Sequence, residues 1–201
     1  MSSRTDSGCI AFDGDRRVAS GDLRAVACAA KELLDRKTDA SVLVFDVSTG
    51  GPIDIDFRGS LHDMLARLSR PETAAADEEA APAARRGPGR PRLGVVAREV
   101  TLLPRHWDWL ALQPGGASVA IRKLIEAARR SSGDKDRVRF AQEATYRFVS
   151  AIAGDKPHYE EAIRALFAAD AARFDKLIAE WPADIRDHAR VLAGRAFQRE
   201  A

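Results

Sequence analysis

Residues 9–20 read CIAFDGDRRVAS, and this stretch decides the fold class. Apolar Ile10 and Phe12 lead into Asp13-Gly14-Asp15, and Val18 follows. Two short runs on either side of an Asp-Gly turn predict a β-hairpin. In the next segment, GDLRAVACAAKELLDRK, the residues Leu23, Val26, Ala27, Ala30, Leu33 and Leu34 recur at helical spacing, with Asp22 placed to cap the start. SVLVFDVSTGGPIDIDF then predicts a second hairpin. Val42 to Phe45 is apolar, Ser48-Thr49-Gly50-Gly51 supplies the turn, and Ile53, Ile55 and Phe57 alternate with Asp54 and Asp56. SLHDMLARLS closes the segment as a short helix. The expected order over residues 8–69 is ββαββα, a small α/β domain in a chain of the α+β class.

Working outward, residues 70–92 (RPETAAADEEAAPAARRGPGRPR) hold Ala, Pro and charge but no large apolar side chain. Such a stretch buries nothing and predicts a flexible linker ending in a basic Gly-Arg-Pro arm. Residues 93–131 form the next expected unit: a β-prone run Val95–Thr101, a short helix opened by Leu103-Pro104, a Gly-rich turn, and a longer helix over 117–130. Residues 134–199 predict a C-terminal helical region. Val138, Ala141, Thr145, Phe148 and Ile152 mark one stripe. Pro157 opens a helix carrying Ile163, Leu166 and Phe167, and Asp170 caps the next. Trp181-Pro182 breaks the pattern before Ile185, Ala189, Leu192 and Ala196 resume it.

The chain has 201 residues, 45 % hydrophobic and 31 % charged, with a formal net charge of +2. The distribution is more informative than the total. Residues 83–139 carry thirteen Lys and Arg against five Asp and Glu, whereas residues 1–82 carry ten against fifteen. A basic middle between acidic or neutral flanks points to a polyanionic partner. Cys9 and Cys28 alone make no disulfide framework and no zinc site, and Cys28 falls on the apolar side of its helix, as a small core residue. The opening MSSRTDSGC lacks the apolar segment of a signal peptide, and no run is long enough to span a bilayer. These features predict a soluble, reduced, cytoplasmic protein without membrane contact.

Within the basic middle, Ala120, Ile121, Leu124, Ile125 and Ala128 make one apolar stripe, and Arg122, Lys123, Glu126, Arg129 and Arg130 cover the rest. Ser118, just after Pro114-Gly115-Gly116, is placed as the N-cap, and a helix start with open amides suits a phosphate. A lone strand beside two helices has no sheet of its own to join. It must pair with another element or with a second copy of the chain.

On these residues, 95–130 resembles a ribbon-helix-helix DNA-binding unit. In that family two chains pair their strands antiparallel, the ribbon enters the major groove, and the second helix holds a phosphate. The resemblance implies double-stranded DNA and a homodimer as partners. One register turns Ala97, Glu99 and Thr101 outward, with Glu99 able to accept from cytosine. The other turns Arg98, Val100 and Leu102 outward, with Arg98 able to read guanine. Cations suit this surface, which favours Arg98. GPGRPR at 87–92 resembles the Arg-Pro core of an AT-hook, except that Pro88 stands where an Arg is usual; such an arm fits a narrow A·T minor groove. The DNA-contacting set is then Arg86, Arg90 and Arg92 on the arm, Arg98 and Thr101 on the ribbon, and Ser118, Arg122 and Lys123 on the helix. The phrase VVAREVTLLPRHWDWLA (95–111) and the LVFD…TG hairpin (43–50) also resemble bacterial proteins of a domain-of-unknown-function family.

Nothing in the sequence names a reaction. His62, His106, His158 and His188 lie far apart and read as surface or helix-end residues. No phosphate-binding glycine loop follows a strand, and Asp54 and Asp56 read as a solvated strand face rather than an acid–base pair. Of Trp107 and Trp109, one is expected to fill the core. Two functional classes remain: a DNA-binding protein, transcriptional regulator or nucleoid-associated, and a protein-interaction or scaffold protein. Neither is an enzyme and neither requires a cofactor.

Overall fold

Cys9, Ile10, Ala11 and Phe12 are each no more than 3 % exposed. A strand buried on both faces must be a central one, which explains its continuous apolar run. The computed structural model describes residues 8–69 and 98–198 and divides them into two units: a larger one of 8–69 with 134–198, and a smaller one of 98–133. In the larger unit, β1 (Cys9–Asp13) lies between β2 (Arg16–Gly21) and β3 (Val42–Asp46), antiparallel to both. Gly14, at φ +55°, makes the β1–β2 turn. Helix α1 (Leu23–Arg36) follows β2, capped by Asp22, whose carboxylate accepts from Ala25 N at 2.9 Å.

The two faces of β1 found two cores. Ile10 and Phe12 point to one side with Phe45, and meet Phe148 and Val149. These last two lie on α4 (Gly116–Ile152). Helices α5 (Tyr159–Phe167), α6 (Ala171–Leu177) and α7 (Ala183–Phe197) add Ala162, Leu166, Phe174, Ile185 and Leu192. Asp170 caps α6 through Arg173 N at 3.0 Å. Cys9 and Ala11 point to the other side, with Val26 of α1, and Val44. The segments 8–69 and 134–198 therefore share a core, each fully buried Phe contributing about 2–3 kcal/mol.

Five expectations change. The fourth strand is absent among the described residues: Pro52 bridges Phe45, Ile53 N donates to Val44 O at 2.7 Å, and no ladder continues from there. Gly50 N bonds Asp46 O and the Asp46 amide bonds Gly51 O, so the turn closes tightly. Proline offers no ladder N–H. The chain then peels away toward α2 (Leu61–Leu68), where Asp56 takes Arg58 and Arg67. Ile53, Ile55 and Phe57 still pack on the second core, so the alternation outlasts the pairing. Second, the expected break at Ser131-Ser132-Gly133 does not occur, and α4 runs unbroken for 37 residues. Ser and Gly cost a helix only about 0.5–1 kcal/mol each, and Glu126–Arg129, Asp134–Arg137 and Asp136–Arg139 brace it on either side. Third, His188 is not a surface residue. It is 9 % exposed, 4.7 Å edge-on to Phe148, and its Nε2 has no hydrogen-bond partner among the described residues. Cys28, expected in the core, is half-buried, and Pro157 precedes α5 rather than opening it; His158 is the cap residue, at φ +60°.

Both edges of the sheet are engaged. The Arg17 amide of edge strand β2 donates to the Asp184 carboxylate of α7 at 2.8 Å, and β3 meets Pro52. Gly50, at φ +63°, lies so close to α4 that a Cβ would stand 1.9 Å from the Ala144 carbonyl oxygen.

Two predictions follow from this core. Gly50→Ala should cost about 3 kcal/mol or more, through a left-handed backbone and a backbone clash together, read as a lowered denaturation midpoint. Burial, with the charges of Arg195 and Arg17, holds the His188 imidazole down from 6.5 to about 4. The unfolded chain therefore takes up a proton near pH 6.5 that the folded one refuses until about pH 4. Stability should fall as pH drops through that window, by on the order of 2–3 kcal/mol. His188→Leu should flatten the loss in denaturant titrations across the window; an unchanged slope would exclude this residue as the cause.

Candidate nucleic-acid interface

The smaller unit starts from a proline. Pro104 opens α3 (Pro104–Ala111), after which Gln113-Pro114-Gly115-Gly116 turns the chain into α4. Gly115 and Gly116 are both left-handed, at φ +85° and +74°, and a Cβ on Gly115 would press on Val119 at 3.1 Å. Only glycine takes this turn without strain. Leu110 and Ala120 are its buried hydrophobic residues, at 3 % and 8 % exposure. Neither tryptophan fills the core: Trp107 and Trp109 are 42 % and 50 % exposed.

The expected contact residues fall in three places. Arg86, Arg90 and Arg92 lie outside the described residues, as do 95–97 of the expected strand. Arg98 and Thr101 are exposed on 98–103, a segment in neither helix nor strand. Leu102 lines a groove between the helices and is half-buried. Ser118, Arg122 and Lys123 sit together, exposed, in the first two turns of α4. Ser118 is not the cap, because α4 already begins at Gly116. Its carbonyl instead accepts from Arg122 Nε at 3.1 Å.

Charge pairing separates the two units. In the larger one, eleven of the nineteen described Lys and Arg form an ion pair, among them Lys37–Asp13 and Lys156–Asp15. In the smaller one, only Arg129 does, with Glu126 at 3.1 Å. Arg98, Arg105, Arg122, Lys123 and Arg130 have no carboxylate partner among the described residues. On α4 the spacing puts Lys123 and Arg130 opposite Ile121, Leu124 and Ile125, with Arg122 and Arg129 at the flank of that stripe. The unit thus has a cationic face and an apolar one.

The apolar face is the groove, about 340 Å³. His106, Trp109 and Leu110 of α3 form one wall, and Ile121, Leu124 and Ile125 of α4 the other. Leu124 and Ile125 are each 51 % exposed. The length of Leu103-Pro104 to Arg130 and its stripe signalled this surface, but nothing local said that the stripe would stay uncovered.

A family model described as "Uncharacterized protein conserved in bacteria (DUF2239)" matches residues 8–193. No curated protein and no solved structure matches. Among the described residues, no helix is long and apolar enough to cross a membrane.

Ser118→Ala should change the unfolding free energy by less than about 0.5 kcal/mol, as for an exposed residue that caps nothing. Gly115→Ala should cost about 1 kcal/mol or more, from left-handed backbone and contact with Val119. Circular dichroism melts of both variants test the pair.

Proposed function

The chain belongs to this bacterial family, and we propose that it is a double-stranded-DNA-binding protein, acting as a transcriptional regulator or a nucleoid-associated protein. One observation carries the proposal: five of the six described cations of the smaller unit are exposed and have no carboxylate partner among the described residues, whereas those of the larger unit are mostly spent on carboxylates. An unpaired surface cation exchanges a counterion for a phosphate at little desolvation cost, and that exchange supplies most non-specific DNA affinity. Arg122 and Lys123, with Ser118 beside them at the start of α4, are the phosphate contacts. The Arg86, Arg90 and Arg92 arm adds charge and a minor-groove reader. On the segment before α3, Arg98 and Thr101 are the ribbon contacts, with Arg98 the base reader.

A scaffold role is the rival, and the open groove favours it, since an apolar surface of that kind suits a protein partner. The two part on salt dependence. Anisotropy titrations of a labelled duplex should give a dissociation constant that rises steeply with salt. Arg122→Ala with Lys123→Ala should weaken binding about tenfold and lower the salt slope by about two. Absence of duplex binding at about 50 mM salt would overturn the DNA reading in favour of the scaffold.

A further inference from the structure

We infer that the groove between α3 and the start of α4 is the docking site for an amphipathic helix of a partner protein, one whose apolar stripe is flanked by Asp and Glu. This site does not rest on DNA binding, and either can hold without the other. An apolar floor between two cationic rims identifies the occupant.

Among the described residues, no Lys, Arg, Asp or Glu lines the floor, and His106 is its single titratable side chain. The rims follow from helical spacing. Round α3 the order runs Leu110, His106, Trp109, Arg105; round α4 it runs Ala120, Leu124, Ile121, Ile125, Arg122. Each series starts from a buried residue, crosses the floor and ends in an arginine. Arg105 and Arg122 are both exposed, and neither has a carboxylate partner among the described residues. The nearby acids do not cancel them: Asp108 lies on the far side of α3, and Glu126 is paired with Arg129.

Trp109, Leu124 and Ile125 are each about half exposed, so the groove lies open. A small ligand, which needs about 70–90 % of its surface buried, finds no enclosure there. A seam between two helices instead accepts a third helix, whose anchors recur every three or four residues. Acidic flanks on that helix meet Arg105 and Arg122, and basic flanks are repelled. A second copy of the same face would set arginine against arginine, and nucleic acid would meet no cation on the floor. Trp109 and Leu124, on opposite walls, are the anchors.

Anisotropy of a labelled synthetic peptide, titrated with the full chain, tests the inference. The probe is a helix of about 18 residues, about 27 Å long, with Leu on one stripe and Glu at its flanks. One control carries Lys in place of every Glu, and a second has the same residues shuffled so that no stripe forms. The acidic peptide should bind with a micromolar dissociation constant, and both controls about tenfold more weakly or worse. Leu124→Glu and Trp109→Ala should each weaken the acidic peptide about tenfold. Both residues are half-exposed, so the helical signal should persist, and circular dichroism checks that it does. Arg105→Glu combined with Arg122→Glu, both on the surface, should reverse the preference, so that the Lys peptide binds the better of the two. No binding of the acidic peptide at about 100 µM chain, equal binding of the Lys peptide, or a preference that survives the double charge swap overturns the inference. So does self-association of the chain that sedimentation equilibrium detects and Leu124→Glu abolishes. The two proposals fail separately. Peptide binding without affinity for duplex sinks the DNA reading alone, and duplex binding without affinity for the peptide sinks the docking site alone.

Discussion

The packing of Phe148 against the sheet is the contact on which the larger unit depends. Its ring lies 5.0 Å from Phe45, nearly perpendicular, and 5.6 Å from Phe12. One side chain of α4 thus touches both β1 and β3, and His188 brings α7 against the same ring. A sheet of three strands has too little apolar surface to stand alone and needs a helical layer. Phe148 supplies the first contact of that layer, and α5, α6 and α7 complete it around Leu166, Phe174 and Leu192. Edge-to-face geometry adds about 0.5–1.5 kcal/mol per aromatic pair beyond burial.

Arginine plays different parts in the two units. In the larger one it ties backbone to backbone across long sequence distances. Arg137 donates to the Arg195 and Gln198 carbonyls at the end of α7, Arg195 to Val47, and Arg147 to Thr49. These guanidinium groups serve as struts, finishing carbonyls that a helix end or a turn leaves open. Among the described residues the smaller unit has no such struts, and the cations of α4 there reach their own helix, as Arg122 does to Ser118 and Arg130 to Glu126. The same residue type is structural where it has backbone to finish and available where it has none.

Local pattern was a good guide wherever neighbours in sequence decide the outcome. The first hairpin, α1 with its Asp22 cap, α3 behind Pro104 and the restart after Trp181-Pro182 are all legible. Ser60 and Asp63 form a capping box that the Ser-x-x-Asp spacing itself offers. His188 was legible too, three residues beyond Ile185 and one before Ala189, and so on the buried stripe; its polarity alone argued for the surface. Long-range geometry was not legible. Nothing near Gly50 announces the Ala144 carbonyl, and nothing near Ile55 says that an alternating run will go on packing after its pairing ends. At the candidate interface, residue types and the helical stripe were readable. Charge pairing was not, because it depends on where carboxylates of other segments arrive.

The closure of both sheet edges bears on how the protein behaves when concentrated. An open edge is a template for aggregation, since any extended chain can continue its ladder. Here Asp184 occupies the Arg17 amide on one edge, and Pro52, with no N–H to give, sits beside the other. A nascent or crowded chain therefore meets a sheet that does not recruit strands, and runaway polymerisation through the larger unit is discouraged by two residues distant in sequence. Loss of the Asp184 carboxylate would matter less for the fold of one molecule than for the solubility of many.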